Sequence, residues 1–102
     1  MAIHRLKCWP EFFEPTLRGE KCFDLRRNDR DYRIGDHVFL CEYDPRTSTF
    51  TGRDLGRRIT YILHGAGLGS IEPLKGLAAN YVILALEPAP IGRDVTELGV
   101  VG

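Results

Sequence analysis

Lys21, Asp24 and Arg26 lie close together in the run GEKCFDLRRNDR, residues 19–30. In an extended chain, side chains two apart share a face, so Asp24 and Arg26 point the same way, near enough to pair. Lys21 directly follows Gly19-Glu20 at the strand mouth, where its long side chain can swing over either face. A carboxylate between an ammonium and a guanidinium suits two kinds of chemistry. The group can hold a phosphate or a polar base edge through charge-assisted hydrogen bonds. It can also supply a proton donor and acceptor for hydrolysis, with Lys21 and Asp24 as the catalytic pair. The plain alternative is the solvated outer face of an edge strand laced with salt bridges. Spacing alone does not separate these.

The turn that follows, Arg27-Asn28-Asp29-Arg30, adds two guanidiniums, an amide and a carboxylate. Asp29 reads as a turn former, because Asp side chains bond nearby backbone. Arg27, Asn28 and Arg30 remain candidate ligand contacts. Of the aromatics, Trp9, beside Lys7 and Pro10, and Tyr43, at a strand end, are the candidate stacking platforms, since a base stacks on any aromatic plane. Tyr32 and Tyr61 are more simply core residues. His4, His37 and His64 are scattered without metal-ligand spacing, and no metal site or cofactor is expected. The glycine-rich GAGLGS matches no nucleotide-binding fingerprint.

Alternation in HRLKCW (4–9) predicts a first strand with Leu6 and Cys8 on one face. Pro10 opens a short helix carrying Phe13 and Leu17 on one side, with Gly19 as its stop. Pro15 inside it predicts a kinked or two-part helix. KCFDLRR (21–27) reads as a second strand, with Phe23 and Leu25 feeding the core and Cys22, Asp24 and Arg26 opposite. HVFLCEY (37–43) is apolar on both faces, the mark of a central or barrel strand. DPRTSTFTGRD reads as a polar hairpin arm or loop. RRITYILH (57–64) is a strand with Ile59, Tyr61 and Leu63 opposite Thr60 and Ile62. Residues 65–77 read as a long flexible loop, and NYVILALE (80–87) as the most hydrophobic strand.

The expected fold class is mostly β with α (α+β), a small and largely antiparallel barrel with one early helix and a long late loop. The domain spans 1–87, and 88–102 is a C-terminal tail, packed or disordered.

The chain has 102 residues, enough for one domain with one core. Fourteen basic and fourteen acidic residues cancel, so no global field draws it to polyanions or membranes, although local patches can coexist with zero net charge. Eleven of the basic residues are Arg, the side chain suited to bidentate recognition of phosphate and base edges. Arg-rich codon usage would give the same bias. Three cysteines with no Cys-x-x-Cys spacing argue against a disulfide framework or zinc site. All three are expected in strands. MAIHRLKCW contains no apolar signal-peptide run, and no stretch approaches a membrane span. The expected location is cytoplasmic, including the host cytoplasm for a viral gene.

Gly19-x-Lys21-x-x-Asp24-x-Arg26 resembles the G-x-K-x-x-E-x-R signature of the ASCH superfamily, small PUA-like β-barrels associated with RNA. The wider pattern is similar to an uncharacterised bacterial and phage branch of it. That pattern runs from HRLKCWPEFFEPTLRGEK through LRRNDRDYRIGDHVFLCEYDP and FTGRDLGRRITYIL to YVILALE. The resemblance implies a PUA-like barrel whose signature strand borders a cleft for RNA or a modified nucleotide. Lys21, Asp24 and Arg26 would line that cleft, with the Arg27–Arg30 turn at its rim. Asp24 replaces the usual Glu, keeping the charge but shortening the reach.

Some ASCH members are amidohydrolases acting on acylated cytidine, and others are ribonucleases. The amidohydrolases match at Lys21 but carry a Thr nucleophile where this chain has Asp24; Glu72 is a candidate for their distant Glu. The expected function is therefore binding of RNA, single-stranded nucleic acid or a modified nucleoside. A small hydrolase of modified nucleosides or RNA phosphodiesters, and a phage accessory protein that binds a host protein, are the alternatives.

Overall fold

The computed structural model describes residues 1–65 and 77–88. Five strands and one helix follow in the order β1 (Ile3–Cys8), α1 (Pro10–Leu17), β2 (Phe23–Arg27), β3 (His37–Asp44), β4 (Thr49–His64) and β5 (Tyr81–Pro88). The strands make one sheet, ordered β1-β3-β4-β5-β2 and curled into a half-barrel. β1 runs parallel to β3, and the other neighbours are antiparallel. β3 is a central strand, as its two-faced apolarity implied.

Apolar residues on the concave face form the core. Leu6 and Cys8 of β1, Val38 and Leu40 of β3, Ile59 of β4, and Val82, Leu84 and Leu86 of β5 are all buried, with Phe13 of α1 closing over them. The helix is one unbroken piece despite Pro15. Pro15 forfeits one intrahelical bond, but the hydroxyl of Thr16 donates to the carbonyl of Phe12 at 2.8 Å. Phe13 and Thr16 are the buried pair on this helix, whereas Leu17 is exposed.

α1 ends as its glycine signal predicts. Gly19 adopts φ +83°, the left-handed region where a side chain is costly. Its N–H donates to the Thr16 carbonyl and that of Glu20 to the Pro15 carbonyl, the paired bonds of a Schellman cap. The Pro15 carbonyl also accepts the Lys21 N–H, at 3.1 Å. The cap thus fixes where Lys21 leaves the helix.

Several sequence expectations are corrected or narrowed by the fold. First, Phe23 and Leu25 do not feed the core; they are 49% and 54% exposed, and Asp24 is the buried residue, at 7%. β2 is an edge strand on a curled sheet, and its apolar side lies on the convex face. There Phe23 sits opposite Ala85, itself opposite Tyr61, and Leu25 opposite Ile83, itself opposite Leu63. Cross-strand apolar rows shield these side chains in part without burying them.

Second, of the two readings of the polar stretch after Asp44, hairpin arm or loop, the arm is the one the fold adopts. It turns at residues 45–48 and enters β4, which runs sixteen residues. Third, the register of β4 on β5 shifts between Ile59 and Tyr61, a bulge that reverses parity. Ile59 and Ile62 therefore pack on the core while Tyr61 is exposed. Cys22 also falls outside the strands and is exposed, whereas Cys8 and Cys41 lie in β1 and β3. The late loop and the tail beyond Pro88 fall largely, and Glu72 entirely, outside the described residues.

Candidate functional site

β1 and β2 are the two edges of the curled sheet, with no ladder between them, and the opening between these edges forms a seam. A side chain bridges this seam. Arg26 Nη2 on β2 donates to the backbone carbonyl of Lys7 on β1 at 2.6 Å. Arg26 Nε donates to Asp24 Oδ2 at 2.7 Å. On the other carboxylate oxygen, Lys21 Nζ donates to Asp24 Oδ1 at 3.3 Å, and it also reaches the Phe23 carbonyl at 2.7 Å. The three residues singled out by spacing therefore form one cluster, with the buried carboxylate at its centre and the two cations more open.

Asp24 is used on both oxygens, but its partners are not. An ammonium has three donors and a guanidinium five. Two of each are engaged here, and the Nη1 edge of Arg26 has no partner among the described residues. The carboxylate orients the cations, and both cations keep donors without a partner among the described residues.

A cavity of about 230 Å³ opens beside this cluster, lined by Cys8, Trp9, Phe12, Asp24, Leu25 and Arg26 with Lys7. Trp9 stacks on Phe12 with ring centroids 6.3 Å apart and planes 20° from parallel, and each ring is nearly half exposed. Trp9 owes this position to being the N-cap residue of α1, where its extended backbone turns the chain out of β1. Lys21 does not line the cavity, but its Nζ lies 5.9 Å from the Phe12 ring centroid. The Cys8 thiol is pushed up to about 11 by burial, reinforced by the nearby Asp24 charge. It is protonated at neutral pH and is a poor nucleophile.

The remaining candidates divide by position. Arg30 joins Arg26 at a second cavity of about 520 Å³, together with Arg5, Lys7, Cys41 and Phe50. Tyr43 is half-buried, edge-on to Phe50, with Lys7 Nζ 4.3 Å above its ring. Lys7 Nζ also lies 6.0 Å from the Phe50 ring centroid, and of the two rings Phe50, at 57% exposed, is the one that lines the second cavity. Arg27 follows the parity of Phe23 and Leu25 onto the convex face, over the Tyr81 ring at 5.5 Å. Asn28 is exposed and donates its backbone N–H to the Asn80 carbonyl at 2.7 Å.

Spacing missed Phe12 and Arg5. Their signal is tertiary: Phe12 follows Trp9 around the first helical turn, and Arg5 matters only because the seam brings β2 alongside.

A second carboxylate cluster also went unread. Glu42, buried on β3, accepts from Thr51 Oγ1 at 2.6 Å and from Arg53 Nε and Nη2 at 2.8 and 3.0 Å. Between Cys41 and Tyr43, Glu42 faces residues 51–53 of β4, a bulge in which Gly52 takes φ +96°. The bulge brings both Thr51 and Arg53 onto Glu42. Arg53 also pairs with Glu14 of α1 and lies 4.8 Å from the Phe13 ring centroid. The Arg53 hydrogen bonds hold the Glu42 carboxyl below the usual range against the opposing effect of burial.

Asp36 anchors the other end of the sheet. Burial pushes its pKa up, but bonds from the Ala2 N–H, His4 and the Arg33 N–H outweigh this and hold it low. Among the described residues no group of three His, Cys, Asp or Glu side chains is placed to hold a metal ion. No described helix is long and apolar enough to cross a membrane.

Comparison with known proteins fits this extent of fold. An uncharacterized 12.9 kDa protein in the GpA 3′ region of Escherichia phage P2 is 35% identical over 83 residues, covering 71% of this chain and 74% of the phage protein. The sequence model of the family described as a domain of unknown function (DUF3850) matches residues 3–86, from the start of β1 to Leu86 near the end of β5. The chain belongs to the DUF3850 family.

Proposed function

We propose that this protein binds nucleic acid, as RNA, single-stranded DNA or a modified nucleotide, at the seam between β1 and β2. The observation that carries the reading is the pairing of two kinds of equipment at one cavity. Trp9 and Phe12 offer half-exposed, stacked rings, and Arg26 and Lys21 offer donors oriented by a buried Asp24. Stacking on aromatic planes holds bases, and oriented cations hold phosphates or base edges. At about 230 Å³ the cavity is smaller than most drug-sized pockets, in keeping with a single planar group.

The likeness of Gly19-x-Lys21-x-x-Asp24-x-Arg26 to the ASCH signature supports the same reading. A small mostly-β half-barrel carrying that signature at an open seam is the arrangement a PUA-like domain would use. Binding is favoured over hydrolysis because Asp24 has both oxygens taken by cations and the Cys8 thiol is protonated.

Trp9 is the only tryptophan, so its fluorescence reports the cavity directly. Titration with a short single-stranded RNA is expected to quench it with an affinity that falls as salt rises. Lys21→Ala and Arg26→Ala should each weaken binding about tenfold, in line with the loss of one charge-assisted contact. Unchanged affinity in both variants, or binding without any Trp9 response, would remove this site.

A further inference from the structure

We infer that the second cavity is a phosphate-backbone subsite, so that the ligand is a strand of two or more linked nucleotides rather than a free nucleoside. This deepens the proposed function and rests on it.

The first observation is where the unpaired charge lies. The chain is neutral overall, and most of its described cations sit within salt-bridge reach of a carboxylate. Arg5, Lys7, Arg27, Arg30 and Arg57 do not, among the described residues. Arg27 lies on the convex face and Arg57 is spent on the Gly56 and Thr16 carbonyls. The other three, Arg5, Lys7 and Arg30, line the second cavity, joined there by Arg26 with its spare Nη1 edge. Among the described residues no acidic side chain lines it. A neutral protein that sets three such cations in one groove has a local positive field without a global one, and an anion is the ligand that fits it.

The second observation is continuity. Lys7 and Arg26 line both cavities, because the Arg26 guanidinium spans the seam to the Lys7 carbonyl. A strand whose base rests on Trp9 and Phe12 would thus carry its next phosphate to Arg26 and Lys7. The third is the second aromatic. Phe50 lines the far cavity and is exposed, so the path runs from aromatic pair to cations to aromatic ring, the alternation of a single-stranded binding groove. Arg5 over Phe39 at 5.2 Å and Lys7 over Tyr43 at 4.3 Å hold these cations on ring faces rather than free in solvent. At about 520 Å³ the groove is large enough for a nucleotide unit.

The test is a ligand ladder of nucleoside, 5′-nucleotide, dinucleotide and tetranucleotide of one base, read by Trp9 fluorescence, on wild type and on Arg5→Gln/Arg30→Gln. Circular dichroism and thermal melting check that the variant is folded. In wild type, affinity should rise more than tenfold from nucleoside to tetranucleotide, and its salt dependence should steepen by about 0.7 per added phosphate contact. The double variant should bring the tetranucleotide-to-nucleoside ratio close to one. Equal affinity for nucleoside and tetranucleotide in wild type would overturn the subsite while leaving the base cavity standing. No Trp9 response to any of the four ligands would overturn both. Displacement of the tetranucleotide by poly-glutamate at the same charge concentration as by unlabelled strand would mark a general polyanion surface and also overturn the subsite.

Discussion

The concave side of the sheet holds two buried carboxylates, Asp24 and Glu42, and each is bonded by an arginine. They differ in stoichiometry. Asp24 is one acid between two cations, Lys21 and Arg26. Around Arg53 the count reverses, one cation between Glu42 and Glu14. Arg53 turns Nε and Nη2 onto the two acids, tying β3, β4 and α1 together at a bulge. The Asp24 cluster has positive charge left over and stands at an open seam. Similar residues thus make a fastener in one place and a ligand-ready surface in the other, and the surplus of cations over acids distinguishes them.

Breaking the fastener should have the largest effect on stability. Glu42→Ala removes three hydrogen bonds and should cost about 2 kcal/mol in urea unfolding, with nucleic-acid affinity unchanged. Loss of binding with intact stability would mean the two clusters have been assigned the wrong way round. Asp24→Asn sharpens the other side. It makes the seam more positive yet loosens Lys21 and Arg26, so an orienting role predicts a several-fold weaker complex and about 1 kcal/mol less stability. A tighter complex would show that net charge, not orientation, governs binding.

Acid pH should act through the fasteners. Glu42 and Asp36 are both held below their ordinary range in the fold. Each therefore stabilises the protein above its unfolded value, near pH 4, and that contribution is lost as pH falls through the lower folded value. Unfolding midpoints should drop below pH 4, with a shallower dependence in Glu42→Gln. An identical slope in that variant would exclude Glu42 as a source. At the small end, Arg18→Ala breaks only exposed pairs with Glu14 and Glu20 and should change neither stability nor binding measurably.

Much of this contrast was legible in the chain, and its limits have physical causes. The Asp24–Arg26 pair follows from strand parity alone, and Gly19 marked the helix end whose cap positions Lys21. Which face of β2 turns inward did not follow. Hydrophobic alternation assigns Phe23 and Leu25 to the core, but an edge strand in a curled sheet can bury a bonded carboxylate and leave apolar rings on the convex side. Glu42 was hidden for a related reason. Its partners arrive through a bulge at Gly52, in a polar stretch whose composition leaves hairpin arm and loop both open. Arg5 and Lys7 became relevant only when the curled sheet brought residues of both edges to one cavity.

The most direct test follows side-chain N–H signals of Trp9, Arg26 and Arg53 in ¹H–¹⁵N spectra while a single-stranded tetranucleotide is added. The Trp9 indole and Arg26 Nε signals should shift together along one binding curve, and Arg53 Nε should stay in place. Movement of Arg53 with Trp9 and Arg26 unmoved would contradict the assignment of the ligand site to the seam.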